Sequence, residues 1–379
     1  MAHGPDRTAA WRKLAEAFYA RVQLDPVLRP LFPGKTLHCA IEEFTAFLVQ
    51  FFGGPAADSQ RRWWLSLRES HARFEIGPQE RTAWLENMNT ALEEPQMEEP
   101  LRAALREFFE QSSAYVVNSQ PAASNPAEPT SEPIRQEIRS RWNAQCALDD
   151  AIAALRDEDA ERAISLAQSD ILRARFQLDQ STLTGLLAQM MRGANPILLR
   201  YIQEEISRDP ALVQERYAGR TLLHDAASLA NLALVEVLLS VGANPNAPDG
   251  GSHTPLYSLA NQYNGPNGGT VVRALAQSGA KVNANGGAKR CTALHMAARR
   301  GNVEIAEALL ECGADIDARD SLGDTPLRRS VNCDKTQVAS LLLAKGADAH
   351  SIGNKGLTPL LAARSGAMKA ILRVSSTRF

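Results

Sequence analysis

The segment SLRESHARFEIG, residues 66–77, sets one histidine, His71, between an apolar helical run and a Gly-Pro stop at Gly77 and Pro78. An imidazole there could ligate a metal through one ring nitrogen or remain a solvated, hydrogen-bonded side chain. Its charged neighbours favour the second use, so the wider pattern has to decide. A second candidate is Cys291 with His295, four residues apart, a spacing that two metal ligands on one helix face could use.

Composition narrows the chemistry. The chain has 379 residues, 44% apolar and 22% charged, which describes a soluble globular protein with room for two or three domains. Lys and Arg number 41 against 43 Asp and Glu, a formal net charge of -2, and no basic run would track a phosphate backbone, so nucleic acid is not an expected partner. The N-terminal MAHGPDRTAAW lacks an apolar core with a cleavage site, and no stretch approaches the ~18 apolar residues that span a bilayer. We therefore expect a cytoplasmic protein without a membrane partner. Five scattered cysteines with no C-x-x-C pair fit reduced thiols and predict no zinc site.

The elements that must position His71 are helical. Trp11, Leu14, Ala15, Phe18 and Val22 fall at helical spacing after a cap expected at Thr8, and Ile41, Phe44, Phe47, Leu48 and Phe51 repeat the pattern up to GGP at Gly53–Pro55. A third helix follows Gly77 with Pro78 in its first turn and Trp84, Met88 and Leu92 on one face. A fourth runs from about Pro100 through Leu101, Leu105, Phe108 and Tyr115. The stretch SQPAASNPAEPTSEP, with prolines at 121, 126, 129 and 133, then reads as an extended linker.

Beyond the linker a period appears. TLLH at Thr221–His224, TPLY at Thr254–Tyr257, TALH at Thr292–His295, TPLR at Thr325–Arg328 and TPLL at Thr358–Leu361 recur at steps of 33, 38, 33 and 33, and GA recurs at Gly242, Gly279, Gly313 and Gly346. This resembles the ankyrin repeat, in which Thr and Pro start the first helix and glycine supplies the positive-φ stop after the second. The resemblance gives His224 and His295 a role in hydrogen bonds between repeats, which accounts for the Cys291 and His295 spacing without a metal. The longer second step is assigned to a surface loop at NQYNGPNGG, Asn261–Gly269. Residues 181–206, STLTGLLAQMMRGANPILLRYIQEEI, resemble a worn repeat that caps the array.

The first region contains, in order, FYARVQLDPVLRPLFPG at Phe18–Gly34, FLVQFFGGP at Phe47–Pro55, His71 with Phe74 three residues on, and IGPQERTAWLENM at Ile76–Met88. These motifs resemble the group II truncated haemoglobins over essentially the whole region. The resemblance implies haem b, with His71 as the proximal ligand of the iron. It implies pocket walls from Phe18, Phe32, Phe44, Leu67, Phe74, Ile76 and Met88, and distal donors at Tyr19 and Trp84 facing a diatomic ligand such as oxygen. Ala40 stands where many globins keep a distal histidine, so none is expected there, with His38 close by.

The chain departs from the family pattern at three places. Ser70 replaces an arginine before the proximal histidine, Asp58 a tyrosine after GGP, and Trp64-Leu65 stands where a GHP motif is usual. Two contacts to the haem propionates should then be missing, and Arg68 and Arg73 are the expected substitutes.

The expected fold is all-α, with a 2-on-2 helical truncated globin at residues 1–119 and a Pro-rich linker at 120–133. A helical region with degenerate repeats at 134–210 leads into about five ankyrin repeats at 211–379, an α-solenoid. The expected function is a haem globin that binds oxygen or another diatomic ligand and is coupled to a protein-interaction module whose partner is not named by the sequence. A haem redox enzyme, such as a peroxidase or nitric-oxide dioxygenase positioned by the array, and a haem-free scaffold are the alternatives.

Overall fold

The computed structural model describes residues 6–32, 37–52, 71, 74–94, 97–118, 133–353 and 356–376. The chain forms two compact units, residues 1–186 and 187–379. Both are helical, as the sequence patterns require, and among the described residues the only named strands form one two-stranded hairpin.

In the first unit, α1 (Asp6–Val22) packs on α2 (His38–Phe52) and α3 (Pro78–Ala91), and α3 packs on α4 (Glu99–Tyr115). Helix α1 begins at Asp6, so Thr8 lies inside the first turn and is not the cap expected from sequence. Helix α3 starts where Gly77 and Pro78 place it: Pro78 has no N–H to leave unpaired, and the Gly77 N–H donates to Glu80 Oε2 at 2.8 Å. The core joins Trp11, Leu14 and Phe18 of α1 to Phe47, Leu48, Phe51 and Phe52 of α2 and to Leu105, Phe108 and Phe109 of α4.

The expected linker at 120–133 lies outside the described residues except for Pro133, where the next helix, α5 (Pro133–Arg156), begins; that helix completes this core. Ile138 is 5% exposed within it, and the Trp142 ring stands edge-on to Phe108 at 5.7 Å and to Tyr115 at 5.2 Å. Arg141 donates to the Phe51 carbonyl in the last turn of α2. Helices α6 (Ala160–Ala167) and α7 (Asp170–Leu178) pack on α5, and α8 (Gln180–Arg192) spans the division between the units.

In the second unit, α9 (Pro196–Arg208) precedes five helix pairs. These are α10 and α11 (Leu222–Ser228, Leu232–Ser240), α12 and α13 (Pro255–Gln262, Gly268–Gln277), α14 and α15 (Ala293–Arg300, Val303–Glu311), α16 and α17 (Pro326–Asn332, Thr336–Ala344), and α18 and α19 (Pro359–Ala362, Gly366–Ser376). First helices stack on first helices and second on second, and α9 extends the second layer by packing on α11. Strands β1 (Asn285–Gly286) and β2 (Cys291–Thr292) pair antiparallel in the finger before α14.

The marker letters do physical work. Thr254, Thr292, Thr325 and Thr358 cap their helices through side-chain oxygens, and Gly242, Gly279, Gly313 and Gly346 sit at φ of 92°, 88°, 85° and 93°. Asn246 donates to the Gly279 carbonyl at 2.8 Å and Asn283 to the Gly313 carbonyl at 3.1 Å, so each turn holds the next. The inserted loop is also tied down: the N–H groups of Asn267 and Gly269 donate to the Glu304 carboxylate, each at 3.0 Å.

Candidate functional site

An aromatic shell gathers most of the residues assigned to the pocket. The Phe18 ring lies 5.0 Å from Tyr19, 5.3 Å from Trp84 and 5.8 Å from Phe44, so α1, α2 and α3 meet around it. Tyr19 also stands edge-on to Phe32 at 5.6 Å, and Phe32 meets Phe74 at 5.8 Å. Met88 is fully buried in the same core, and Ile76 is half-buried. Ala40 lies one turn before Phe44 on α2, while His38 is exposed at the start of that helix. Leu67, Arg68, Asp58, Trp64, Leu65, Ser70 and Arg73 lie outside the described residues.

Two polar groups are placed within this shell. Among the described residues neither the Tyr19 hydroxyl nor the Trp84 N–H has a hydrogen-bond partner, although both rings pack on Phe18. Burial, reinforced by the charge of Glu43, pushes the Tyr19 phenol far above its ordinary value, so it remains a neutral O–H donor. Both residues are half-buried, so each donor is open to a ligand that accepts from it.

His71 is half-buried, and its carbonyl accepts the Phe74 N–H at 3.0 Å. Asn118, just beyond α4, fixes the segment that follows: its Nδ2 donates to the Phe74 carbonyl at 2.7 Å and its Oδ1 accepts the Ile76 N–H at 2.9 Å. The Asp-Pro motif has a similar structural use. Asp25 accepts from the N–H groups of Val27 and Leu28 and, at 2.6 Å, from Asn87 of α3, joining the FY…DP and AWLENM motifs. Burial is the largest single influence on the Asp25 carboxyl and raises it, but the hydrogen bonds from Leu28, Asn87 and Val27 together outweigh it and hold the group below its ordinary value.

Sequence reasoning missed Asn118 and Phe109. Phe109 lies 5.5 Å from Trp84 and 6.3 Å from Phe44, and its position four residues after Leu105 was the available signal. Asn118 gave none.

The fold engages both ring nitrogens of His295. The Thr292 N–H donates to His295 Nδ1 at 3.1 Å, which leaves Nε2–H to donate to the Asp324 carbonyl at 3.0 Å in the next repeat. His224 repeats the arrangement with Thr221 and the His253 carbonyl. In the fourth marker Arg328 takes the same position and donates to the carbonyls of Leu357 and Thr358, each at 2.7 Å.

Residues 6–118 match the bacterial-like globin family. Over 106 residues the chain is 31% identical to the group 2 truncated hemoglobin YjbI of Bacillus subtilis, covering 28% of this chain and 80% of that protein. The N-terminal part of the chain belongs to the group 2 truncated haemoglobins. Ankyrin repeats match three times in the second unit, over residues 223–320, 256–353 and 294–374. There the chain is 35% identical over 161 residues to human ankyrin repeat and SOCS box protein 16, covering 40% of this chain and 35% of that protein. It is 31% identical over 147 residues to an L-asparaginase of Dirofilaria immitis, covering 38% of this chain and 24% of that protein. The chain thus spans about a third or less of these two relatives.

Membership of the truncated haemoglobins implies haem, and the described residues fit one. Phe32, Phe44 and Phe74, each half-buried, offer apolar rings to a flat macrocycle over the fully buried Phe18, while Tyr19 and Trp84 hold unpartnered donors within the same shell. Among the described residues of this truncated haemoglobin with its ankyrin array, no helix is long and apolar enough to cross a membrane.

Proposed function

We propose that the globin unit holds haem through His71 and binds a diatomic ligand such as oxygen beside Tyr19 and Trp84, while the ankyrin array docks the chain to a protein partner. When bound, haem supplies an iron with an open position for such a ligand. His71 would hold the iron, with its segment braced through Asn118, and Phe18, Phe32, Phe44 and Phe74 would exclude water. The observation that carries the reading is the pair of unpartnered donors, the Tyr19 O–H and the Trp84 N–H, on two rings that both pack on Phe18. A ligand that accepts from them is released more slowly.

The test is the oxygen dissociation rate of haem-loaded full-length protein, measured by stopped-flow. Tyr19→Phe and Trp84→Phe should each speed release by about tenfold, the equivalent of one hydrogen bond of about 1.4 kcal/mol. Rates unchanged in both variants would overturn the assignment. The same donors would also polarise peroxide, so rapid turnover of hydrogen peroxide or nitric oxide by the same protein would support the redox alternative.

A further inference from the structure

The second unit contains a cleft of about 340 Å³ whose lining includes His253, Tyr257, Lys289, Cys291, Arg299 and Arg329. Three consecutive repeats contribute to it: the finger and first helix around His253 and Tyr257, the β1–β2 finger with α14, and α16. The His253 and Tyr257 rings stack at 4.3 Å and form one wall. Among the described residues the Tyr257 hydroxyl has no hydrogen-bond partner.

The charges around the cleft are unevenly satisfied. Asp249 accepts from the N–H groups of Gly251 and His253, each at 2.8 Å, and its carboxylate faces the His253 ring at 3.1 Å and Arg220 at 3.9 Å. Asp320 is bound by Arg329 and accepts from the N–H groups of Leu322 and Asp324, with the Cys291 thiol at 3.8 Å. Both carboxylates are therefore saturated by the fold. Lys289 and Arg299 are exposed and have no ion pair among the described residues. The lining thus presents exposed Lys289 and Arg299 beside a phenol, while the neighbouring Asp249 and Asp320 are held by the fold.

We infer that this cleft docks an acidic segment of a protein partner, whose carboxylates pair with Lys289 and Arg299 and whose backbone or side chain meets the Tyr257 wall. The inference rests on the reading of the array as a protein-binding module and names the chemistry of its partner. A nucleic acid fits less well, because the cleft presents two exposed cations rather than a basic run that would track a phosphate backbone.

The test uses full-length protein and fluorescence anisotropy with a labelled peptide of alternating glutamate and alanine. A glutamine-for-glutamate peptide and a labelled oligothymidylate serve as comparisons. The glutamate peptide should bind at least about tenfold more tightly than the glutamine peptide, with affinity falling as salt rises. The double variant Lys289→Glu, Arg299→Glu should lose that preference, whereas Lys345→Glu, on a turn after an outer helix, should keep it. Circular dichroism confirms that each variant is folded, and Lys289→Ala with Arg299→Ala replaces the reversal if it is not. Equal binding of the two peptides, a preference that survives the double variant, or tighter binding of oligothymidylate would each overturn the inference. A protein partner captured equally well by wild type and double variant would overturn it as well, while leaving the protein-binding reading intact.

Discussion

Shortening Ile138 to alanine should destabilise the globin unit even though Ile138 lies beyond the Pro-rich stretch. Its side chain is 5% exposed within the core that includes Phe108, and removing three of its carbons leaves a cavity the surrounding helices fill only in part. Such a change in a packed core costs about 3 kcal/mol, within the usual range of 2–5. For a unit of this size each kcal/mol moves the melting midpoint by roughly 2–4 °C, so the expected loss is about 6–12 °C. Trp142→Ala acts on the same core by removing two edge-on ring contacts, with Phe108 and Tyr115, each worth about 0.5–1.5 kcal/mol beyond its buried area. The assay separates the units, because all 5 tryptophans, at positions 11, 63, 64, 84 and 142, lie in the first one. Tryptophan fluorescence therefore follows the globin unit alone, while far-ultraviolet circular dichroism follows both. An Ile138→Ala fluorescence midpoint within about 1 °C of wild type would refute the packing of α5 on the globin core, as would a fragment ending at residue 118 that melts where the full chain does.

Three further perturbations read other parts of the account. Asn118→Ala removes the two side-chain bonds that brace residues 74 and 76 and leaves the backbone bond from the Asn118 N–H to the Ile76 carbonyl; because Asn118 is exposed, the cost should be about 1 kcal/mol, seen as a lower fluorescence midpoint and faster haem loss to apomyoglobin. Burial pulls His224 down from 6.5 to about 4, partly offset by its bond to the His253 carbonyl, so the folded unit keeps the neutral ring while the unfolded chain protonates. That contribution is full above pH 6.5 and is lost as pH falls toward about 4, a difference of about 3 kcal/mol. Denaturant titrations of the fluorescence-silent transition across this window should show the loss, and His224→Gln should flatten it. Arg328→Ala strips the charged donor from the carbonyls of Leu357 and Thr358, so hydrogen exchange should quicken in α18 and α19 while α10 to α13 stay protected.

Much of the repeat unit was legible in the sequence because each helix pair reuses local devices. The threonine caps, positive-φ glycines and helix-facing leucines act within a few residues of themselves, so a period of 33 exposes them. Arg328 shows the limit of reading by letter: it differs from the histidines at its position, yet it reaches the next repeat's carbonyls in the same way. In the globin unit the ordered motifs pointed to the family and to the shell around Phe18. Asn118 was not legible, because its partners are 44 and 42 residues away and a single polar residue after a helix has no period. The role of α5 was hidden for a related reason. Ile138 and Trp142 sit four apart, which announces a helix face, but nothing in that spacing says which core the face will cover.

The central claim is that His71 anchors haem in the first unit. The direct measurement is the ultraviolet–visible spectrum of full-length protein reconstituted with haem, ferric, ferrous and ferrous with carbon monoxide, beside His71→Ala of equal circular dichroism. The account predicts a strong Soret band that shifts with carbon monoxide in the wild type and is lost or displaced in the variant. Folded wild-type protein that takes up no haem, or a variant whose spectra match the wild type in all three states, would contradict it.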